Sequence, residues 1–205
     1  MNYDTSDIKN LKKIIHSRAI IPFQTSQGFE DANLIECTGK YCYNLKNINV
    51  NNTLIIDVDK FINLESCFSG QNEETKKPDY LIFTKDEEDN PLLVIIELKN
   101  KRKTKSLSYT AYQILGGINF CSIIIQYLNI YYQLDLSKYL KKIGSFKLLN
   151  KVPRKTTKIT KNKIHPSKKY NLTHDNIQKN CMVVNGRTIN FKSLLSQGKY
   201  INILD

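Results

Sequence analysis

Two carboxylates and a lysine are spaced along this chain as metal-assisted hydrolysis would need them. Asp79 opens an apolar run, Lys77-Pro78-Asp79-Tyr80-Leu81-Ile82-Phe83, and Glu97 and Lys99 close the next, Leu92-Leu93-Val94-Ile95-Ile96-Glu97-Leu98-Lys99. The polar stretch Lys85-Asp86-Glu87-Glu88-Asp89-Asn90-Pro91 between them reads as a turn. Two strand-like runs joined by a short polar loop predict a β-hairpin. Folding that hairpin about the middle of its loop brings Asp79 opposite Ile96 or Glu97. Two carboxylates and an ammonium then share one end of a sheet, a place to hold a divalent metal and a water.

The elements that must position these groups are strands. Side chains alternate faces along a strand, so Glu97 and Lys99 point one way and Leu98 the other. The run from Leu92 to Leu98 is otherwise apolar on both faces, which marks a central strand covered on both sides. A glutamate ending such a strand is costly to bury unless it is paired or binds a cation. A plain Glu–Lys or Asp–Lys salt bridge at a solvated strand end uses the same residues without chemistry.

Over Lys77 to Lys99 the chain resembles the PD-(D/E)xK nuclease superfamily, on its Pro78-Asp79 pair and its Glu97-Leu98-Lys99 triplet. The resemblance implies a restriction-endonuclease-like fold and a Mg²⁺-dependent phosphodiesterase, with Mn²⁺ as a substitute ion. It implies that Asp79, Glu97 and the main-chain carbonyl of Leu98 hold the metal. Lys99 then orients or activates the attacking water and offsets charge on the phosphate. The chemistry agrees with the residue types, since magnesium takes hard oxygen ligands and keeps several waters. A metal both acidifies a water and polarises a phosphoryl oxygen.

Members of this superfamily often add an acid from the first helix. Glu30, Glu36 and Asp31 are the candidates, and Asp57 and Asp59 lie on or beside a strand-like run. The sequence does not choose among them. Gln113 stands fourteen residues after Lys99, where some members carry a glutamine that contacts the site or the DNA. The tyrosine that accompanies it there is Gly117 here, and Tyr109 and Tyr112 do not restore the pattern.

The charge distribution points to a polyanion. The net charge is +12 over 205 residues, unevenly spread. Residues 1–98 carry 10 Lys/Arg and 16 Asp/Glu, whereas residues 99–205 carry 21 and 3. Such a basic region is the electrostatic footprint of a nucleic-acid partner. Lys101, Arg102, Lys103 and Lys105 form a basic loop beside the proposed site and are the expected nucleic-acid contacts. No unbroken run of 18 apolar residues exists, so no membrane span is expected. The polar, acidic N-terminus is unlike a secretory signal. Five cysteines without a compact framework suggest reduced thiols and a cytoplasmic location. No CxxC pair marks a structural zinc site.

Along the chain, Ser6 caps an expected helix to about Ser17, and residues 29–36 fit helix or strand equally. Thr53–Val58 reads as a strand, Ser106–Gln133 as a helix interrupted at Gly116-Gly117, and Phe146–Leu149 as a strand. Met182–Phe191 carries a hairpin signal with Asn185-Gly186 as its turn. Val152–Leu172, rich in Lys, Thr and Pro, reads as irregular. Tyr127, Tyr131 and Tyr132 are expected as a core or packing stripe, with base stacking as the alternative. The order of helix, strand, hairpin, helix and strand predicts an α/β (α+β) fold with a mixed central sheet flanked by helices. Residues 1–150 would form the core, and 151–205 a basic extension whose hairpin packs on the same domain. The expected function is Mg²⁺-dependent endonucleolytic cleavage of DNA, ahead of RNA, in defence or restriction. A homodimer or a larger defence complex would fit that role. The alternative is a non-catalytic nucleic-acid-binding or assembly subunit that retains the fold.

Overall fold

The longest apolar runs of the chain become its central strands. In a computed structural model the residues described are 7–26, 29–35, 42–45, 48–61, 69–71, 73–86, 88–100, 107–150, 177–184, 186–196 and 200–201. In chain order the elements are α1 (Asp7–Ile14), β1 (Phe23–Ser26), β2 (Phe29–Ile35), β3 (Cys42–Leu45), β4 (Leu54–Asp57) and α2 (Val58–Phe61). Then follow β5 (Tyr80–Lys85), β6 (Pro91–Asn100), α3 (Leu107–Tyr132), β7 (Ile143–Asn150), β8 (Ile177–Val184), β9 (Arg187–Ser196) and β10 (Tyr200–Ile201). The loop at residues 101–105, Glu36 and the 152–172 segment lie outside the described residues.

Six strands form a mixed sheet in the order β4-β5-β6-β7-β9-β8. The β4, β5 and β6 strands are an antiparallel meander. The long helix α3 then carries the chain to β7, which runs parallel to β6. Strand β9 adds to β7 in parallel, and the β8–β9 hairpin completes the sheet. Its register joins Val184 to Arg187, which leaves positions 185 and 186 as a two-residue loop. Gly186 sits there at φ +72°, as the tight turn of a twisted hairpin requires. The β5–β6 loop is closed by Asp86, whose carboxylate accepts from the Glu88 and Asn90 amides at 3.0 and 2.8 Å.

Strand alternation divides the core. Leu81, Phe83, Leu93 and Ile95 face Ile8, Leu11 and Ile15 and the buried face of α3, including Ala111, Ile114 and Ile125. Tyr80, Ile82, Val94 and Ile96 face a second, four-stranded sheet, β1-β2-β3-β10, through Ala32, Leu34, Tyr43 and Leu45. The α/β class with a mixed central sheet is as expected from the sequence. The long helices pack on one face of that sheet, and strands cover the other. Residues 29–35, equivocal by periodicity, are one of those strands because Ala32 and Leu34 lie on one face of β2 and are buried there. Tyr80 ties the two sheets together. Its hydroxyl donates to the Ile35 carbonyl at 2.7 Å and accepts from the Ile35 amide at 2.9 Å.

Helix α3 is unbroken from Leu107 to Tyr132, so the expected interruption at Gly116-Gly117 is absent. The two glycines instead allow α3 to lie directly on the segment that precedes β5. A Cβ at Gly116 would stand 1.9 Å from the Lys76 carbonyl oxygen, and one at Gly117 2.9 Å from Pro78 Cγ. By length and composition α3 is apolar enough to cross a membrane. Here one side of it packs against β6, β8 and β9. The tyrosine stripe expected in the core is exposed: Tyr127 is 55% and Tyr131 67% accessible. Both lie on the side of α3 turned from the sheet, and one turn of helix pairs their rings with each other, centroids 4.4 Å apart.

Candidate active site

The β5–β6 register pairs Tyr80 with Ile96 and Lys85 with Pro91. One further step puts Asp79 across from Glu97. The contact is direct in the backbone as well, because Asp79 Oδ2 accepts the Leu98 amide at 2.6 Å. Alternation turns Glu97 and Lys99 to the α3 side, in line with Leu93 and Ile95. There the Lys99 ammonium donates to Glu97 Oε1. It also lies 5.2 Å from the centre of the Tyr109 ring on the first turn of α3. The same ring has Lys76 Nζ at 4.7 Å, so two ammoniums lie against one aromatic ring. The three residues singled out by sequence therefore meet at one end of the sheet, under the N-terminal half of α3.

Glu97 is only 1% exposed. Burial pushes its carboxyl well above the usual carboxylate range, and the neighbouring Asp79 charge adds to the push. Lys99 and the Gln113 amide act in the opposite direction. Gln113 Nε2 also donates to the Lys77 carbonyl at 3.2 Å. That bond holds α3 to the chain just ahead of Asp79. Gln113, singled out in the sequence by its position after Lys99, is thus 8% exposed and stands with this cluster.

Lys147 was not singled out by sequence reasoning. On β7 it stands directly across from Glu97 and is 5% exposed. Burial lowers its pKa, the nearby Lys99 charge lowers it further, and Glu97 works against both. The available signal was a lysine inside the apolar run Phe146-Lys147-Leu148, the same kind of mismatch that marked Glu97.

The upstream acids do not join the cluster among the described residues. Glu30 and Asp31 lie on β2, in the second sheet, and so do not come from a first helix as the resemblance implied for the added acid. Asp57 pairs with Lys60 at 3.0 Å and Asp59 with Lys77 at 2.9 Å. The acid on α1, Asp7, pairs with Lys138. Glu36 and the expected nucleic-acid contacts Lys101, Arg102, Lys103 and Lys105 lie outside the described residues.

The donor set fits a hard divalent cation that keeps most of its waters. Glu97 Oε2 is buried with no hydrogen-bond partner, and the charge of Asp79 acts on the same carboxyl. A cation at that point relieves both costs. Among the described residues no three His, Cys, Asp or Glu side chains gather as a metal cluster, so the protein side supplies two carboxylates. The chain matches no protein-family model, no curated protein and no solved structure.

Proposed function

We propose that this protein is a Mg²⁺-dependent nuclease of the PD-(D/E)xK type that hydrolyses phosphodiester bonds of DNA. The observation that carries the reading is the convergence of Asp79, Glu97 and Lys99 at one end of β5 and β6, with a Glu97 oxygen buried and unpartnered. The order α1, β4, the β5–β6 hairpin, α3 and parallel β7 supports a restriction-endonuclease-like core. The net charge of +12 supports a polyanionic substrate.

Asp79, Glu97 and the Leu98 carbonyl would hold Mg²⁺, and Mn²⁺ would occupy the same oxygens. When bound, the ion acidifies a water and polarises a phosphoryl oxygen. Lys99 orients the attacking water and offsets the charge that develops on the phosphate. Gln113 fixes the entry to β5 through the Lys77 carbonyl. Tyr109 and α3 shield these charges from bulk water, and in that lower dielectric each interaction counts for more. An endonuclease acting in defence or restriction, as a homodimer or within a larger complex, is the setting this chemistry suits.

Incubation of supercoiled plasmid with Mg²⁺ or Mn²⁺ tests the reading. The wild-type chain should nick or linearise the plasmid. Asp79→Ala, Glu97→Ala and Lys99→Ala should each abolish cleavage and keep the native circular dichroism spectrum. Undiminished cleavage by Glu97→Ala ends the assignment. One observation favours a second reading, a non-catalytic nucleic-acid-binding subunit: the Lys99 ammonium already donates to Glu97 Oε1, as a plain salt bridge would. That reading requires salt-sensitive DNA binding and a plasmid that stays intact.

A further inference from the structure

We infer that Lys147 is a second phosphate-binding cation of this site, contacting a non-bridging oxygen of the phosphodiester beside Lys99. This deepens the nuclease reading and rests on it. The Glu-x-Lys triplet accounts for one ammonium, and Lys147 comes from a different strand. It reaches the site because β7 runs parallel to β6 in a register that pairs it with Glu97. Its neighbour in the register on β9, Ser193, is also buried, at 5% exposure. Asn180 on β8 donates to Ser193 Oγ at 2.8 Å, so three adjacent strands present polar groups on the face under α3.

A lysine this deep needs an anion. Lys147 stands across from Glu97, whose Oε1 already accepts from Lys99. Two ammoniums held beside one carboxylate repel each other. An incoming phosphodiester relieves that repulsion. It has two non-bridging oxygens, one for each cation. A compact ammonium suits this task as a point charge. The competing role is that of a structural counter-ion to Glu97, which would leave Lys147 without contact to substrate.

Lys147→Met tests the two roles in the full-length chain. The readouts are the melting temperature, Mn²⁺ binding by calorimetry, binding of a duplex oligonucleotide in Ca²⁺, and plasmid cleavage in Mg²⁺. A phosphate contact predicts wild-type melting and Mn²⁺ affinity. It also predicts weaker oligonucleotide binding, with a salt slope shallower by about one. Cleavage should fall by about 10²-fold, the usual loss for one transition-state contact. Lys147→Arg should recover part of both. If Lys147→Met does not fold, Lys147→Gln, which keeps a donor and sheds the charge, takes its place. Unchanged oligonucleotide binding and cleavage overturn the proposal. So does a parallel loss of Mn²⁺ binding and melting temperature, which marks a counter-ion to Glu97. If the wild-type chain does not cleave, the nuclease reading falls by itself. The oligonucleotide arm then decides Lys147 alone: weaker binding upholds the phosphate contact and unchanged binding removes it.

Discussion

Gly116→Ala should destabilise this protein, although alanine is the better helix former. In an exposed helix interior the exchange gains about 1 kcal/mol. Gly116 lies mid-way along α3, with its Cα against the backbone of Lys76. A Cβ there would stand 1.9 Å from the Lys76 carbonyl oxygen and 3.0 Å from its carbon. Ordinary contact begins near 3.4 Å, so helix and segment must part by about 1.5 Å. Backbone presses on backbone, and no side-chain rotation relieves it. Overpacking of this kind costs about 1–3 kcal/mol or more. The parting also strains the 3.2 Å bond from Gln113 to Lys77, at about 1 kcal/mol. Net of the propensity gain, the loss is about 1–3 kcal/mol, or a fall in melting temperature of about 3–10 °C. Asp79 follows Lys76 by three residues, and a shift near 1 Å in a catalytic group can cost about 10²-fold in rate. Gly117→Ala is the internal control. Its Cβ would meet side-chain atoms only, Pro78 Cγ at 2.9 Å and Ile95 Cγ2 at 3.1 Å, so it should cost less. Thermal and urea melts of both variants check the order. A Gly116→Ala protein as stable as the wild type, or more so, would refute the close approach of α3 to the entry of β5.

Two further outcomes are expected. The folded pKa of Glu97 is raised, mainly by burial, so the folded chain favours its neutral form. In EDTA the stability of the wild type relative to Glu97→Gln should therefore be full below the ordinary carboxylate value, about 4.3. It should be lost as the pH climbs through the raised Glu97 value. Melting curves of both proteins across that range measure it, and a difference independent of pH would contradict the buried environment. Mn²⁺ binding displaces that proton, so its affinity should rise across the same window. Tyr80→Phe removes both hydrogen bonds to Ile35 and should cost about 1–2 kcal/mol, because Ile35 is half exposed and water replaces part of the loss. A melting temperature within error of the wild type would show that this tie does not join the two sheets.

Much of the site was legible because a hairpin is a local object. The polar loop around Asp86 and the two apolar runs fix the register, and the register alone places Asp79 across from Glu97. The β8–β9 turn was legible for the same reason, since Asn185-Gly186 demands one backbone geometry. The face a helix turns to the sheet is not a local property. Tyr127 and Tyr131 have core-like spacing, yet among the described residues no strand covers the side of α3 that carries them. Residues 29–35 could have been helix or strand. Only the apolar face of β4, β5 and β6 opposite α3 made a second sheet the favourable solution.

The amino-acid order, read locally, determined a carboxylate pair with a lysine at one strand end, because alternation and turn chemistry act over a few residues. It also determined an excess of positive charge in the second half of the chain. Only the tertiary structure decided that Gln113 and Lys147 stand with that trio. Lys147 lies fifty positions from Glu97 along the chain. It reaches its neighbour through a parallel pairing that a 26-residue crossover helix makes possible. No pattern within either strand encodes that register. It is set by burial on both sides of the sheet: α3, seated on its two glycines, covers Leu93 and Ile95 of β6, while Phe146 and Leu148 of β7 are buried on the opposite face.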